Sequence, residues 1–363
     1  MGKYSVRGSA AFDARIDADM QRIADAVYSS KFSRHWKALV LLGGYGRGEG
    51  SPMIAIGGEE LPFNDYDLIV VTDSLRPAPE LKRLEKQLSE EIGLPVDLYP
   101  YLEQKLPACE FSLLNYEMKY GHRVIRGDER ILDAMPDYPH SEIPLSEGTR
   151  LLLNRGKLLL DIKRRLGQTE PLSSEERQRF SKFLFKLDLA FGDCALLING
   201  QYDISYTVKK TRITTLENLP EGIAAAYLKA IEFKERTDFQ TLEYRGIHER
   251  FAETLRRYEQ VFLWYERRRL KRKFQTLENY ARSFPNLGNE GSPLKNAVRN
   301  LRLFGGGARF GLFAHPRLRL YAALPLLLAR QADSELIAWL LNSSQVDFEA
   351  LCKTFYALQQ RFS

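Results

Sequence analysis

Residues 39–50 read Leu39-Val40-Leu41-Leu42-Gly43-Gly44-Tyr45-Gly46-Arg47-Gly48-Glu49-Gly50, and after a short excursion the chain resumes Asn64-Asp65-Tyr66-Asp67-Leu68-Ile69-Val70-Val71. The apolar run ending at Leu42 has the pattern of a strand buried on both faces, and Leu68 to Val71 repeats it. Between them the glycines at 43, 44, 46, 48 and 50 permit positive φ and a close approach of backbone to a ligand. Successive N–H groups in such a turn cradle an anion. Asp65 and Asp67 are two residues apart on the second strand, so their side chains leave one face of the sheet. Two carboxylates there repel unless a cation sits between them, and Mg²⁺, with Mn²⁺ as a substitute, is the hard cation that prefers carboxylate and phosphate oxygens.

A glycine turn for phosphates beside paired aspartates for metal is the expected make-up of a nucleoside triphosphate site, ATP among the candidates. The combination resembles the nucleotidyltransferase superfamily that includes DNA polymerase β, poly(A) polymerase and kanamycin nucleotidyltransferase. Its signature is a Gly-Gly or Gly-Ser turn followed by Asp-x-Asp on the next strand. The wording Gly43-Gly44-Tyr45-Gly46-Arg47-Gly48-Glu49 is most similar to the catalytic domain of the bacterial PII uridylyltransferase. One spacing differs: the aspartates follow later than is usual in the superfamily. The intervening Met53 to Leu61 carries Gly57-Gly58 between an apolar and a polar stretch, a hairpin signal.

The resemblance implies a third carboxylate from a later neighbouring strand, and Asp97 in Leu94-Pro95-Val96-Asp97-Leu98-Tyr99-Pro100 is the matching position. It implies that Asp65, Asp67 and Asp97 ligate two metal ions, that Asp97 assists removal of the acceptor proton, and that Gly43 and Gly44 hold phosphates. Arg47 is placed to meet the phosphates too, or to brace the turn by pairing with Glu49. In poly(A) polymerases and terminal uridylyltransferases a helical domain offers lysines on one helix, then a Ser or Tyr, to the nucleotide. Lys182, Lys186, Ser205 and Tyr206 resemble that arrangement.

Composition sets the bounds. With 363 residues, 44% of them hydrophobic, the chain is long enough for two domains with substantial cores. Its longest late apolar run, Leu320 to Ala329, is interrupted by Pro325 and too short to span a bilayer. The three cysteines, 109, 194 and 352, fit neither a zinc site nor a disulfide framework, and a cytoplasmic location is expected. The net charge of +6 suits anionic partners without identifying them.

Along the chain, helices are expected over 11–34, 80–92 (ended by Gly93) and 109–120, and a strand over 122–128. The proline-rich 136–144 is the linker. The resulting expectation is α+β: a nucleotidyltransferase domain over 1–140, with a small mixed sheet flanked by helices, followed by an all-α bundle over 141–363. The bundle's expected helices are 149–166, 173–199, 220–234, 248–284, 293–304, 317–332, 334–342 and 347–361. The basic run Arg267 to Lys273 reads as a solvated helix or as a phosphate-backbone patch. The glycine-rich Phe304 to Gly311 has no strand-to-helix context for a phosphate loop. The expected activity is transfer of a nucleoside monophosphate to a hydroxyl of a small molecule or protein, with an RNA 3′ end, or a non-catalytic nucleotide-binding module, as alternatives.

Overall fold

The computed structural model describes residues 2–55, 57–238, 246–283, 287, 291–309, 311–331 and 333–362. Ile56 of the expected hairpin, Phe310 of the glycine loop, and the far ends of the helices expected over 248–284 and 317–332 lie outside these residues. In chain order the first 144 residues give α1 (Ala10–Tyr28), β1 (Trp36–Leu41), the single turn α2 (Gly43–Gly46), β2 (Pro52–Ile54), β3 (Glu60–Pro62) and β4 (Tyr66–Thr72). They continue with α3 (Ala78–Ile92), β5 (Val96–Leu102), α4 (Leu113–Tyr120) and β6 (Arg123–Gly127). The rest is helical: α5 (Ser146–Leu166), α6 (Ser174–Ile198), α7 (Tyr206–Thr215), α8 (Ile223–Glu235), α9 (Ile247–Leu270), α10 (Leu277–Arg282), α11 (Pro293–Phe304), α12 (Arg317–Leu328), α13 (Ser334–Leu341) and α14 (Phe348–Phe362).

The chain is α+β and divides into two compact units. One comprises Met1–Pro144, Gly200–Thr215 and Leu228–Leu242; the other comprises Leu145–Asn199, Leu216–Tyr227 and Glu243–Ser363. The first unit therefore takes in two segments from beyond position 140. Backbone bonds show why for the second of them: Ile54 N donates to Thr237 O and Thr237 N to Pro52 O, each at 2.9 Å.

In the first unit the sheet order is β5-β4-β1-β6, with β1 antiparallel to both β4 and β6 and β4 parallel to β5. α3 is the crossover that parallel pairing needs. It ends at Gly93, whose φ of 76° is left-handed. Alternation decides the faces. Leu39, Leu41, Leu68, Val70, Val96 and Leu98 pack with Phe12, Ile16 and Met20 of α1 and with Leu81, Leu84 and Leu88 of α3. Asp67, Asp97 and Tyr99 emerge exposed on the opposite side. β2 and β3 form the antiparallel hairpin expected in the 53–61 region.

The second unit is all helix. α6 opens with a reciprocal capping box between Ser173 and Glu176. Its core joins Leu159 of α5, Leu187 of α6, Phe262 of α9, Leu327 of α12 and Phe355 of α14. The continuous helix expected over 248–284 breaks: Lys271 turns left-handed at φ 52°, and Arg267 reaches past the break to the carbonyls of Phe274 and Gln275. The basic run is thus only partly helical. Arg269 pairs with the buried Glu266 and Arg268 lies over Trp264, while Lys271, Arg272 and Lys273 are exposed.

Candidate active site

The site is built on the first unit's sheet. Asp67 and Asp97 are register partners on the parallel strands β4 and β5. Asp65 precedes β4, and the three carboxylates offer oxygens that all lie within 4.8 Å of one another. Two supports hold this approach to β4. The Tyr45 hydroxyl accepts from Phe63 N at 3.0 Å, and Asn64 Nδ2 donates to Ser51 Oγ at 3.1 Å. Beneath them Tyr66 is edge-on to Tyr45 and donates its hydroxyl proton to Asp19.

The glycine turn backs directly onto the triad. Gly43 has φ +63°, and a Cβ placed there would sit 3.0 Å from Asp67 Oδ2. Leu42 N donates to Asp67 O at 2.8 Å, tying the turn's first residue to β4. The turn itself is a single helical turn over Gly43–Gly46.

Behind the turn is a largely buried polar group that includes Arg47, Glu49, Ser205 and Tyr206. Arg47 Nε donates to Glu49 Oε2 at 3.1 Å, both side chains less than a tenth exposed. Glu49 Oε1 also accepts from Ser205 Oγ at 2.9 Å and from Tyr206 N at 2.8 Å, the start of α7. Burial alone would lower the Arg47 pKa, but Glu117, Tyr206 and Glu49 carry it above the ordinary value. Of the two partners open to Arg47, the structure therefore shows Glu49 in contact.

Sequence reasoning passed over two lysines here. Lys234, near the end of α8, donates to Glu49 O, and its Nζ is 3.3 Å from where a Cβ on Gly44 would lie. Burial first, then the neighbouring Arg47, brings its pKa down to about 7, against the pull of Glu49. Lys209 of α7 is fully buried, its ammonium 4.0 Å from the Tyr202 ring centre and 4.5 Å from that of Tyr206. Arg47 and Lys234 face the Tyr206 ring as well, at 5.4 and 5.1 Å. A quadrupole facing three cations offsets part of their repulsion. The one available signal was Ser205 followed by a basic, weakly amphipathic stretch, which marks a helix start without revealing what it packs on. Lys182 and Lys186 stand half-buried on α6 in the second unit.

The triad's electrostatics suit a cation. Partial burial, and then Glu85 and Asp65, raise the Asp97 carboxyl above its usual range, with Lys82 opposing. Three carboxylates forced together are a hard-oxygen donor set, and a divalent cation between them would relieve that repulsion. Asp65, Asp67 and Asp97 therefore fit a Mg²⁺ or Mn²⁺ ion.

No known protein family and no curated protein matches the chain. Among solved structures it is similar to spectinomycin adenyltransferase AAD(9) from Enterococcus faecialis with ATP and spectinomycin. The identity is 12% and the TM-score 0.42, over 66% of this chain and 98% of that one. A likeness at that level identifies neither a shared fold nor a shared reaction. No described helix is long and apolar enough to cross a membrane.

Proposed function

We propose that the chain is a divalent-metal-dependent nucleotidyltransferase that moves a nucleoside monophosphate from a triphosphate to an acceptor hydroxyl. The observation that carries this reading is the convergence of Asp65, Asp67 and Asp97 within 4.8 Å, at the point where a left-handed glycine backs onto Asp67. Magnesium bound by those three carboxylates supplies the positive charge that triphosphate chemistry needs. The residues do the rest. Asp97, the third carboxylate of the group, takes the proton of the attacking hydroxyl. The acceptor oxygen bonds to the α-phosphorus as the bond to pyrophosphate breaks, and pyrophosphate leaves. The N–H groups of Gly43 and Gly44 hold phosphate oxygens, and Lys234 adds a cation beside that turn. Arg47, Ser205 and Tyr206 act through Glu49, fixing the turn's far end.

A small-molecule acceptor, or a side chain of a protein, is the reading favoured. Tyr99 lies two residues along β5 from Asp97, hence on the same sheet face, and is 66% exposed. It offers a ring for an acceptor's flat or apolar side to lie on.

The test uses each of the four nucleoside triphosphates labelled at the α-phosphorus, with Mg²⁺ and separate small-molecule, protein and RNA fractions of a cell extract. Label transferred to one fraction by the wild type, and lost in Asp65→Asn/Asp67→Asn, supports the proposal. Transfer that survives the double substitution rejects it.

A further inference from the structure

Within the helical unit, α11 presents an apolar stripe outward. At about 100° per residue, positions i, i+4 and i+7 or i+8 share a stripe, and the helix has three. Asn296, Asn300 and Phe304 form the first and are buried. The loop that follows holds the two asparagines there. Asn300 Nδ2 donates to the carbonyls of Leu312 and Ala314, each at 2.8 Å, and Asn296 Nδ2 donates to that of Phe313 at 3.4 Å. Leu294, Val298 and Leu301 form the second stripe and are 74%, 49% and 56% exposed. Lys295, Arg299 and Arg302 form the third, along the flank of the second, and are exposed too.

The asparagine bonds fix which face is buried, and the aliphatic stripe is left facing water. A single exposed leucine is ordinary, but three aliphatic side chains along one helix face make a continuous strip of the kind that marks an interaction surface. Its flank is uniformly cationic. From Gly291 to Ala332 the sequence has seven lysines and arginines and no aspartate or glutamate. Among the described residues, Lys295, Arg299 and Arg302 make no salt bridge. The face therefore calls for a partner that is apolar and anionic at once. A second copy, meeting like with like, would set cation against cation. A nucleic-acid backbone would engage the cations and leave the aliphatic strip in water. A peptide helix docks into an apolar groove, whereas α11 offers a strip on one helix. An anionic lipid surface satisfies both stripes, because a helix lying in its plane puts cations at the headgroups and aliphatic side chains at the acyl boundary.

We propose that α11 seats the protein reversibly on an anionic lipid surface, with Leu294, Val298 and Leu301 entering the acyl boundary and Lys295, Arg299 and Arg302 meeting the headgroup phosphates. The surface is separate from the aspartate triad and stands whether or not the chain transfers nucleotides.

Co-flotation of the full chain with vesicles tests it, comparing phosphatidylcholine alone with an equimolar mixture of phosphatidylcholine and phosphatidylglycerol. The mixed vesicles should bind roughly tenfold or more tightly than the neutral ones. Leu294→Ser/Leu301→Ser removes the apolar strip and keeps every charge; Lys295→Gln/Arg299→Gln/Arg302→Gln removes the flank and keeps the strip. All five positions are exposed, so both variants should keep the circular dichroism spectrum, and each should weaken binding to the mixed vesicles roughly tenfold. Absence of binding to the mixed vesicles would overturn the proposal and leave the strip to a protein with an apolar groove. Equal binding to neutral vesicles would also overturn it. So would unchanged affinity in the folded serine variant, which would mean adsorption by charge alone. Sedimentation velocity supplies the last arm: a dimer of the wild type that the serine substitutions dissociate would assign the strip to a second copy and overturn the lipid reading.

Discussion

Gly43 and Asp67 are locked together: the glycine takes a left-handed φ of +63°, and any side chain on it would begin 3.0 Å from Asp67 Oδ2. Gly43→Ala therefore carries two separable effects. The left-handed conformation costs a non-glycine residue about 1–2 kcal/mol, which urea denaturation will show as a modest loss of stability. Displacement of Asp67 disturbs the metal-binding geometry as well, so nucleotidyl transfer should fall by 100-fold or more. Activity loss no larger than the stability loss would mean that Asp67 is not used.

Removing charge from the triad should stabilise the metal-free protein. Asp97 is raised in pKa by partial burial, Glu85 and Asp65, so its ionised form is disfavoured in the fold and Asp97→Asn relieves the repulsion. Thermal unfolding in a chelating buffer should show the variant at least as stable as the wild type. Added Mg²⁺ or Mn²⁺ should raise the wild-type midpoint, by the equivalent of about 2.7 kcal/mol at a hundredfold excess over the dissociation constant, and leave Asp65→Asn/Asp67→Asn unmoved.

Lys234 gives the protein a distinctive pH dependence. Its pKa falls from the model-peptide value near 10.4 to about 7 in the fold. Between those values the unfolded chain carries the proton and the folded chain does not, so stability rises with pH from about 7 to 10 and is flat below 7. Denaturation across pH 6–10 should show that slope in the wild type and lose it in Lys234→Met. A bound polyanion beside the lysine would draw the proton back. Calorimetry in buffers of different ionisation enthalpy should therefore detect proton uptake when a triphosphate binds at pH 8, and none in Lys234→Met.

Glu49 joins two structures: the glycine turn through Arg47, and the start of α7 through Ser205 and Tyr206. Glu49→Ala takes from the buried Arg47 its hydrogen-bonded carboxylate, leaving Glu117 at 3.9 Å, and should cost about 3 kcal/mol in chemical denaturation. Glu49→Gln keeps an oxygen for Ser205 and Tyr206 and should cost distinctly less.

What the sequence made legible was what short-range pattern encodes. Leu39 to Leu42 and Leu68 to Val71 announce buried strands, and the period of two predicts Asp65 and Asp67 on one face; Asp65 stands just before β4, and its carboxylate lies near those of Asp67 and Asp97. The meeting of Asp67 with Asp97 needs the β4–α3–β5 crossover: apolar spacing predicts its helix over 80–92, while the pairing of the two aspartates comes from the resemblance and not from spacing. Lys209 and Lys234 were not legible, because a lysine on a helix reads as solvated unless the tertiary packing that buries it is known. Arg47 had two credible partners in the sequence, and only the packing of α7 shows Glu49 held in place to receive it. The end of α9 was missed for a similar reason: Arg267 to Lys273 is good helix-forming sequence, and the left-handed Lys271 is imposed by the contacts of Arg267 with the chain beyond.

The most direct test of the central claim is metal-dependent nucleotide binding, measured with Mn²⁺ by electron paramagnetic resonance in the presence of an α,β-methylene triphosphate analogue. The account predicts that the analogue and the ion each tighten the other's binding in the wild type, and that Asp65→Asn/Asp67→Asn abolishes this coupling while remaining folded. Equal nucleotide affinity with and without metal, or coupling that survives the double substitution, would contradict it.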